Sequence, residues 1–291
     1  MTILKKGETK LYKTKKQCRG KIYAYFFLTL YSLCILVPVY IIFITSVKTI
    51  PEAAQTKFSW FPLRGFSLAG YQTILRNMDM WRGLWNTAWI NLPSLCISVF
   101  MSALASYGFA KLEWKGKKPV FSFLLLTMMI PGTITMTASL VMYDTIGWLG
   151  TPLPLMVPSM FGSIGTIFFM RQYMMGIPND LLGAARVDGL NEFGIFLKIV
   201  FPLSMPVVVM QFVLGLIGRF NDYMGPLIYL SDDAVLYTFQ LTLKEWTDIY
   251  KVDLPARMAG YTLSMGIMIA IFFVFQDLIL KGISITSGLK G

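Results

Sequence analysis

The 291-residue chain contains no histidine. That excludes Ser-His-Asp and Cys-His catalytic arrangements and any histidine-ligated metal site. Charge is scarce as well: 14% of residues are Asp, Glu, Lys or Arg, against 55% hydrophobic. A water-soluble domain of this length carries more charge, so the composition points to a bilayer. Three cysteines, Cys18, Cys34 and Cys96, are scattered and match neither a disulfide framework nor a metal-ligand spacing. No GxxxxGK[ST] phosphate-binding string occurs, and Gly116-Lys117 is followed by Lys118 rather than by a hydroxyl residue. The chain is therefore expected to carry no catalytic residue, metal or cofactor of its own. The apolar runs between Ile22 and Met170 hold no charge apart from Asp144, which lies between two of them. A proton-driven carrier normally needs embedded acids, so the energy for any transport is expected from a partner.

What the chain does have is length in its apolar runs. Residues 1–21 form a basic N-terminus with eight Lys or Arg against the single acid Glu8. The run at 22–47 follows, long enough at about 1.5 Å per residue to cross a hydrocarbon core of about 30 Å. It is too long for the apolar part of a cleaved signal and lacks a small-residue cleavage pattern. A mixed polar segment at 48–82, with Trp60 and Trp81 near span ends, is read as an external loop. Further spans are expected over Gly83–Ala110, Val120–Tyr143, Thr145–Met170, Leu203–Gly218 and Met258–Gln276, inside a core region at 83–281. The connection KLEWKGKKP at 111–119, the segment at 178–202 and the tail at 282–291 are read as cytoplasmic. The acid-rich stretch Asn221–Arg257 is read as a second external loop.

Six spans put both termini on one side. Charge agrees: the segments assigned to the cytoplasm hold fifteen of the 26 Lys and Arg, and the external loops eight. The same asymmetry accounts for the net charge of +11 without nucleic acid. Backbone groups in lipid must be bonded internally, and uncharged runs of about 20 residues do this as helices. The expectation is an all-α polytopic membrane protein with six transmembrane helices, kinked at Pro38, Pro93, Pro131, Pro158 and Pro206.

The most informative stretch is Pro178–Pro202, PNDLLGAARVDGLNEFGIFLKIVFP. Asn179 and Asp180 are good helix starters, Asp188-Gly189 supplies a turn, and a second short helix with an apolar side runs from Leu190 to Val200. Pro202 is expected to break it from the next span. By pattern alone this is an amphipathic helix pair, and such a pair can also lie on a membrane surface. The polar residues Asn91, Gln211 and Asn221, with the aromatic Tyr143, are candidates for a path lined to bind hydroxyl groups. Interhelical hydrogen bonding is the other reading of the same residues.

Gly183, Ala184, Ala185, Asp188, Gly189, Phe196, Ile199 and Pro202 resemble the EAA loop of permease subunits in bacterial ATP-binding-cassette (ABC) importers, roughly EAAxxDGxxxxxxFxxIxLP. The stretches ASYGFAKLEWKGKK, MIP at 129–131 and FNDYMGPL at 220–227 are similar to the carbohydrate-uptake branch, of the maltose-permease type. The resemblance implies a type I ABC importer permease fold in the bacterial cytoplasmic membrane, moving a di- or oligosaccharide. It implies as partners a second homologous permease, two copies of an ABC ATPase that carry the ATP and Mg, an extracytoplasmic solute-binding protein and membrane lipid. Within the loop it implies an ATPase-coupling role for Gly183, Ala184, Ala185, Asp188, Gly189, Leu190, Phe193, Phe196 and Pro202. Gly183 stands where the pattern usually has glutamate, which leaves the contact to apolar residues. A polyol-like solute such as glycerol phosphate is the alternative cargo, and an ion-gradient carrier or a structural membrane subunit are the readings from other classes.

Overall fold

The computed structural model describes residues 2–230, 234–249 and 252–288, with side chains from 21 to 278. Cys18, the basic side chains before residue 21, Asp232, Asp233 and the residues after 288 lie outside them. Every described element is helical, as the composition and run lengths predict. In chain order these are α1 (Thr2–Ser46), α2 (Ile50–Ala53), α3 (Ala69–Asn77), α4 (Met80–Ala110), α5 (Lys117–Thr127), α6 (Gly132–Thr145), α7 (Leu153–Met160) and α8 (Ile164–Met175). They continue with α9 (Asn179–Val187), α10 (Glu192–Ile195), a π-turn at Phe196–Val200, α11 (Phe201–Leu203), α12 (Met205–Asn221), α13 (Met224–Tyr229), a 3-10 turn at Ala234–Leu236, α14 (Phe239–Ile249) and α15 (Leu254–Gly288).

Four segments are long and apolar enough to cross a membrane alone: Lys21–Ser46, Met80–Ala110, Leu153–Met175 and Leu254–Leu278. Two bent pairs bring the number to six, α5 with α6 at 92° and Glu192–Leu203 with α12 at 76°. The first bend falls at Pro131, where a kink is expected, and the second within two residues of the expected start of the fifth span. The run at 120–143 is not one straight span, because Pro131 sits in an extended conformation (φ −60°, ψ 128°) as the N-cap of α6. The fifth span begins at Met205, and its break falls at Ser204 (φ −89°, ψ 1°) rather than at Pro202. Pro206 occupies the first turn of α12, where a missing N–H costs nothing, while Pro202 lies inside the helical run Glu192–Leu203, directly after the π-turn.

The chain divides into two compact units, Met1–Ile74 with Tyr250–Leu263, and Leu75–Ile249 with Ser264–Gly291. In the first, the segment read as an external loop is folded. Glu52 accepts from Leu63 N–H (2.8 Å), Arg64 N–H (3.2 Å) and Ser59 Oγ (3.0 Å). Lys48 Nζ donates to Ser59 O at 2.5 Å and lies 4.3 Å from the Phe58 ring centroid. Gly70 brings α3 against the start of α15: a Cβ there would sit 2.8 Å from the Pro255 carbonyl carbon.

The second unit is built on α4. Buried serines recur on it every four residues, Ser94, Ser98, Ser102 and Ser106. The Ser102 and Ser106 hydroxyls are satisfied without large side chains: the one Ser106 O–H is shared between Ser102 O (2.6 Å) and Ile167 O (3.0 Å), and Ser102 Oγ accepts from Ser163 N–H (3.0 Å). Small residues on one face let backbones approach closely, and α7 and α8 use that face. Beside it the core gathers Leu95, Val99, Met170, Met174, Phe196, Val207 and Val213. The described residues of 221–249 are likewise no open loop. Asn86 Nδ2 donates to Val235 O (2.7 Å) and Tyr237 O (3.0 Å), Phe239 N–H donates to Thr87 Oγ1 (2.9 Å), and α14 buries Phe239, Leu241, Leu243 and Trp246.

Two outcomes test this account. Gly162 has φ +101°, and a Cβ there would meet Ser102 Oγ at 2.9 Å. Gly162→Ala should therefore cost about 1–3 kcal/mol, whereas Gly108→Ala, in an α4 position with open space around it, should be neutral or stabilise by up to about 1 kcal/mol; thermal unfolding in micelles reads both. The Leu63 N–H, ahead of other influences, holds the Glu52 carboxyl below the ordinary carboxylate range. The stability it contributes is complete above the free-glutamate value of about 4.3 and is lost as pH falls through the lower folded value. Amide exchange at Leu63 and Arg64, corrected for intrinsic rates, should therefore accelerate only in that acid window, and Glu52→Gln should produce the acceleration already at neutral pH.

Candidate functional site

The segment between α8 and α12 begins with α9. Its N-cap position is Pro178, and Asn179 does not cap: its Oδ1 accepts from Lys111 Nζ (2.9 Å), which also donates to Ile177 O (2.5 Å). A lysine from just past the end of α4 thus ties down the root of the segment. Burial lowers the Lys111 pKa, and the nearby Lys117 charge adds to the effect.

The turn follows the sequence. Gly189 takes φ +83°, and Leu190 N–H closes back onto Ala185 O at 3.0 Å, a left-handed helix ending that glycine adopts without Cβ strain. Asn191 then caps α10, its Oδ1 accepting from Gly194 N–H at 2.7 Å. Across the turn, Arg186 Nε donates to Glu192 Oε1 (2.7 Å), and Tyr107 on α4 donates to Glu192 Oε2 (2.5 Å). The ion pair is half exposed, with side chains at 46% and 44%, so solvent screens it and its Coulombic contribution is small. Its value is geometric, since it fixes α9 to α10 and both to α4.

The apolar residues sort into two sets. Leu182, Ala185, Ile195, Phe196 and Val200 are buried, and Phe196 packs against Phe100, Tyr107, Phe193 and Phe201 with centroids 5.6–6.3 Å away. Phe196 is fully buried in the chain's own core, so it anchors the segment from within and offers no face to a partner. Leu190 is half-buried, while Val187 and Phe193 stand out at 88% and 54% exposure, beside exposed Ala184 and Leu181. Asp188, Gly189 and Pro202 are exposed. Gly183 is half-exposed, and a Cβ added to it would meet no atom within 4 Å.

The four candidate path residues are each bonded locally. Asn91 Nδ2 donates to Thr87 O (3.0 Å) one turn back, and Asn221 Nδ2 to Ile217 O (3.0 Å) and Met268 Sδ (3.4 Å). Gln211 is buried and accepts from Thr166 Oγ1 at 3.3 Å. Tyr143 is buried between Trp148 (5.8 Å) and Tyr229 (5.3 Å). No described hydrogen bond joins any two of them. Arg219 reaches α4 instead, donating from Nη1 to Ser94 Oγ (2.6 Å) and Asn91 O (3.3 Å). The brace from Lys111, Tyr107 and Arg186–Glu192 was not read from sequence. Opposite charges flanking the Asp188-Gly189 turn were its one local signal.

These features first define a class: a multi-span, all-helical membrane protein with a braced pair of short helices between two spans. Residues 97–285 match the family described as binding-protein-dependent transport system inner membrane component, and the chain belongs to that family. It is 27% identical to the arabinooligosaccharides transport system permease protein AraQ of Bacillus subtilis, over 91% of this chain and 94% of that one. It is 30% identical to the lactose transport system permease protein LacG of Rhizobium radiobacter, over 68% and 72%. Its fold matches a chain in the crystal structure of a bacterial ABC transporter involved in the import of the acidic polysaccharide alginate, with a TM-score of 0.73 at 20% identity, covering 88% and 95%.

Gly189→Val would force a β-branched residue to φ +83° and should cost about 1–3 kcal/mol locally. Faster amide exchange over 186–196, with the rest of the second unit unchanged, is the expected result. Gly183→Glu enters open space and should leave exchange and melting unaltered or slightly improved.

Proposed function

We propose that this permease is one of two homologous membrane subunits of a type I ABC importer that moves a di- or oligosaccharide into a bacterium across its cytoplasmic membrane. ATP and Mg belong to two separate ATPase copies, and an extracytoplasmic binding protein delivers the sugar. Relatives named for arabinooligosaccharides, lactose and alpha-glucosides support a saccharide cargo. Family membership makes an ion-gradient carrier the weaker reading, since the family is defined by binding-protein-dependent transport.

The observation that carries the coupling role is the division of the 178–202 segment into a buried, triply braced inner face and an exposed apolar outer edge. A lever must be rigid toward the body it moves and sticky toward the motor. Phe196, Tyr107, Glu192 and Lys111 supply the first property. Leu181, Ala184, Val187 and Phe193 supply the second, as an amphipathic helix edge fitted to a groove. Gly189 sets the angle between the two short helices, and Asp188 and Gly189 form the exposed tip, with half-buried Leu190 behind them. The substrate-path role of Asn91, Tyr143, Gln211 and Asn221 stays part of the proposal and rests on their polar placement in or beside spans.

The test is co-purification from native membranes with and without Val187→Asp/Phe193→Asp. The unaltered chain should bring down an ATPase and a second permease, with sugar uptake that stops on ATP depletion. The double variant should insert normally, lose the ATPase and lower uptake at least about tenfold, since removing anchors from a contact typically costs more than 1.4 kcal/mol. Retention of the ATPase, or uptake that follows an ion gradient, would overturn the reading.

A further inference from the structure

A cleft of about 780 Å³ lies where the end of α4, the start of α5 and the end of α8 meet. It shares no residue with the 178–202 segment or the candidate path. Its floor is aromatic: Phe109 packs on Trp114 at 5.6 Å and on Phe121 at 5.3 Å. Its rim carries three cations, Lys117, Lys118 and Arg171, against one carboxylate, Glu113.

The cations differ in how they are spent. Lys117 is engaged with Glu113 (3.2 Å) and Leu112 O (2.7 Å). Arg171 lies 4.3 Å over the Phe121 ring and donates Nε to Phe109 O at 3.1 Å, which orients its guanidinium while using one of five N–H donors. Neither Arg171 nor the exposed Lys118 forms an ion pair among the described residues. An arginine inside an apolar span, four residues before its end, is costly unless it meets a counter-charge, and no ion pair to it comes from the described residues. The adjoining α5 adds to the same field: its N-cap is Gly116 at φ +90°, with no side chain closing the first turn.

We infer that this cleft binds the phosphate head of an anionic phospholipid. A guanidinium and an ammonium over an apolar floor suit a phosphodiester that carries hydrocarbon. The volume takes a glycerophosphate head with the first acyl carbons, being within the range of small-molecule sites. From the cleft, α5 continues with Val120, Phe123 and Leu126 exposed, a surface along which acyl chains can run. The KLEWKGKK segment lies on the side that the positive-inside rule assigns to the cytoplasm, the leaflet where such basic pockets meet anionic lipid.

The test is native mass spectrometry and melting of the full chain in neutral detergent, titrated separately with dioleoylphosphatidylglycerol, dioleoylphosphatidylcholine, glycerol 3-phosphate and inorganic phosphate. The phosphatidylglycerol should bind and raise the melting temperature, and the other three should do neither at equal concentration. Arg171→Gln/Lys118→Gln should weaken phosphatidylglycerol binding at least about tenfold, at about 1 kcal/mol per cation. Lys118→Gln alone, at an exposed site that cannot impair folding, should weaken it about fivefold, and Lys198→Gln should not weaken it. Equal binding of phosphatidylcholine, an equal response to either free phosphate, or unchanged binding in both cleft variants would overturn the inference.

Discussion

The second unit depends on one constraint: helices can approach α4 closely only where its side chains are small. Ser94, Ser98, Ser102 and Ser106 form that seam, and the hydroxyls of Ser94, Ser102 and Ser106 return to backbone carbonyls one turn back, so closeness does not strand them. In lipid the hydrophobic effect does not drive helices together, so such contact and hydrogen bonding must do it. Ser106 to Ile167 O and Ser163 N–H to Ser102 place α8 and the break before it. Arg219 to Ser94 extends the seam to α12.

Through α4 the same constraint reaches the 178–202 segment. Tyr107 stands one residue past the last serine of the seam and holds Glu192, while Lys111, one turn on, holds Ile177 and Asn179. Movement imposed on α9 and α10 would therefore be delivered to the helix on which α7, α8, α12 and α14 pack. At its other end α4 holds the folded cap through Asn86 and Thr87. One helix thus connects the segment proposed to meet an energy source with the packed stretch that carries Val235, Tyr237 and Phe239.

Much of the 178–202 segment was legible because its devices are local. A glycine after a short helix, needing φ +83°, and a capping Asn191 act within a few residues. The direction of Phe196 was not legible, since helical pattern places it on an apolar side without saying whether core or partner covers that side. Pro202 marked the end of the short helix to within two residues, since the 76° bend falls at Ser204. Where the chain turns after it is decided by the packing of α12. The segments at 48–82 and 221–257 read as loops because their charges are dense, yet Glu52 and Asn86 spend their polar groups on folding those segments.

The sequence by itself determined the solvent, the helical class, the number of apolar runs, the absence of histidine chemistry and the family. Each of these follows from composition or from spacing along the chain. The tertiary structure alone decided which face of each helix is covered, that two of the six spans are bent by 92° and 76°, and that Tyr107, Arg186 and Glu192 meet. The reason is distance: these outcomes rest on contacts between residues as many as 152 positions apart, and nothing in the pattern near either partner records the other.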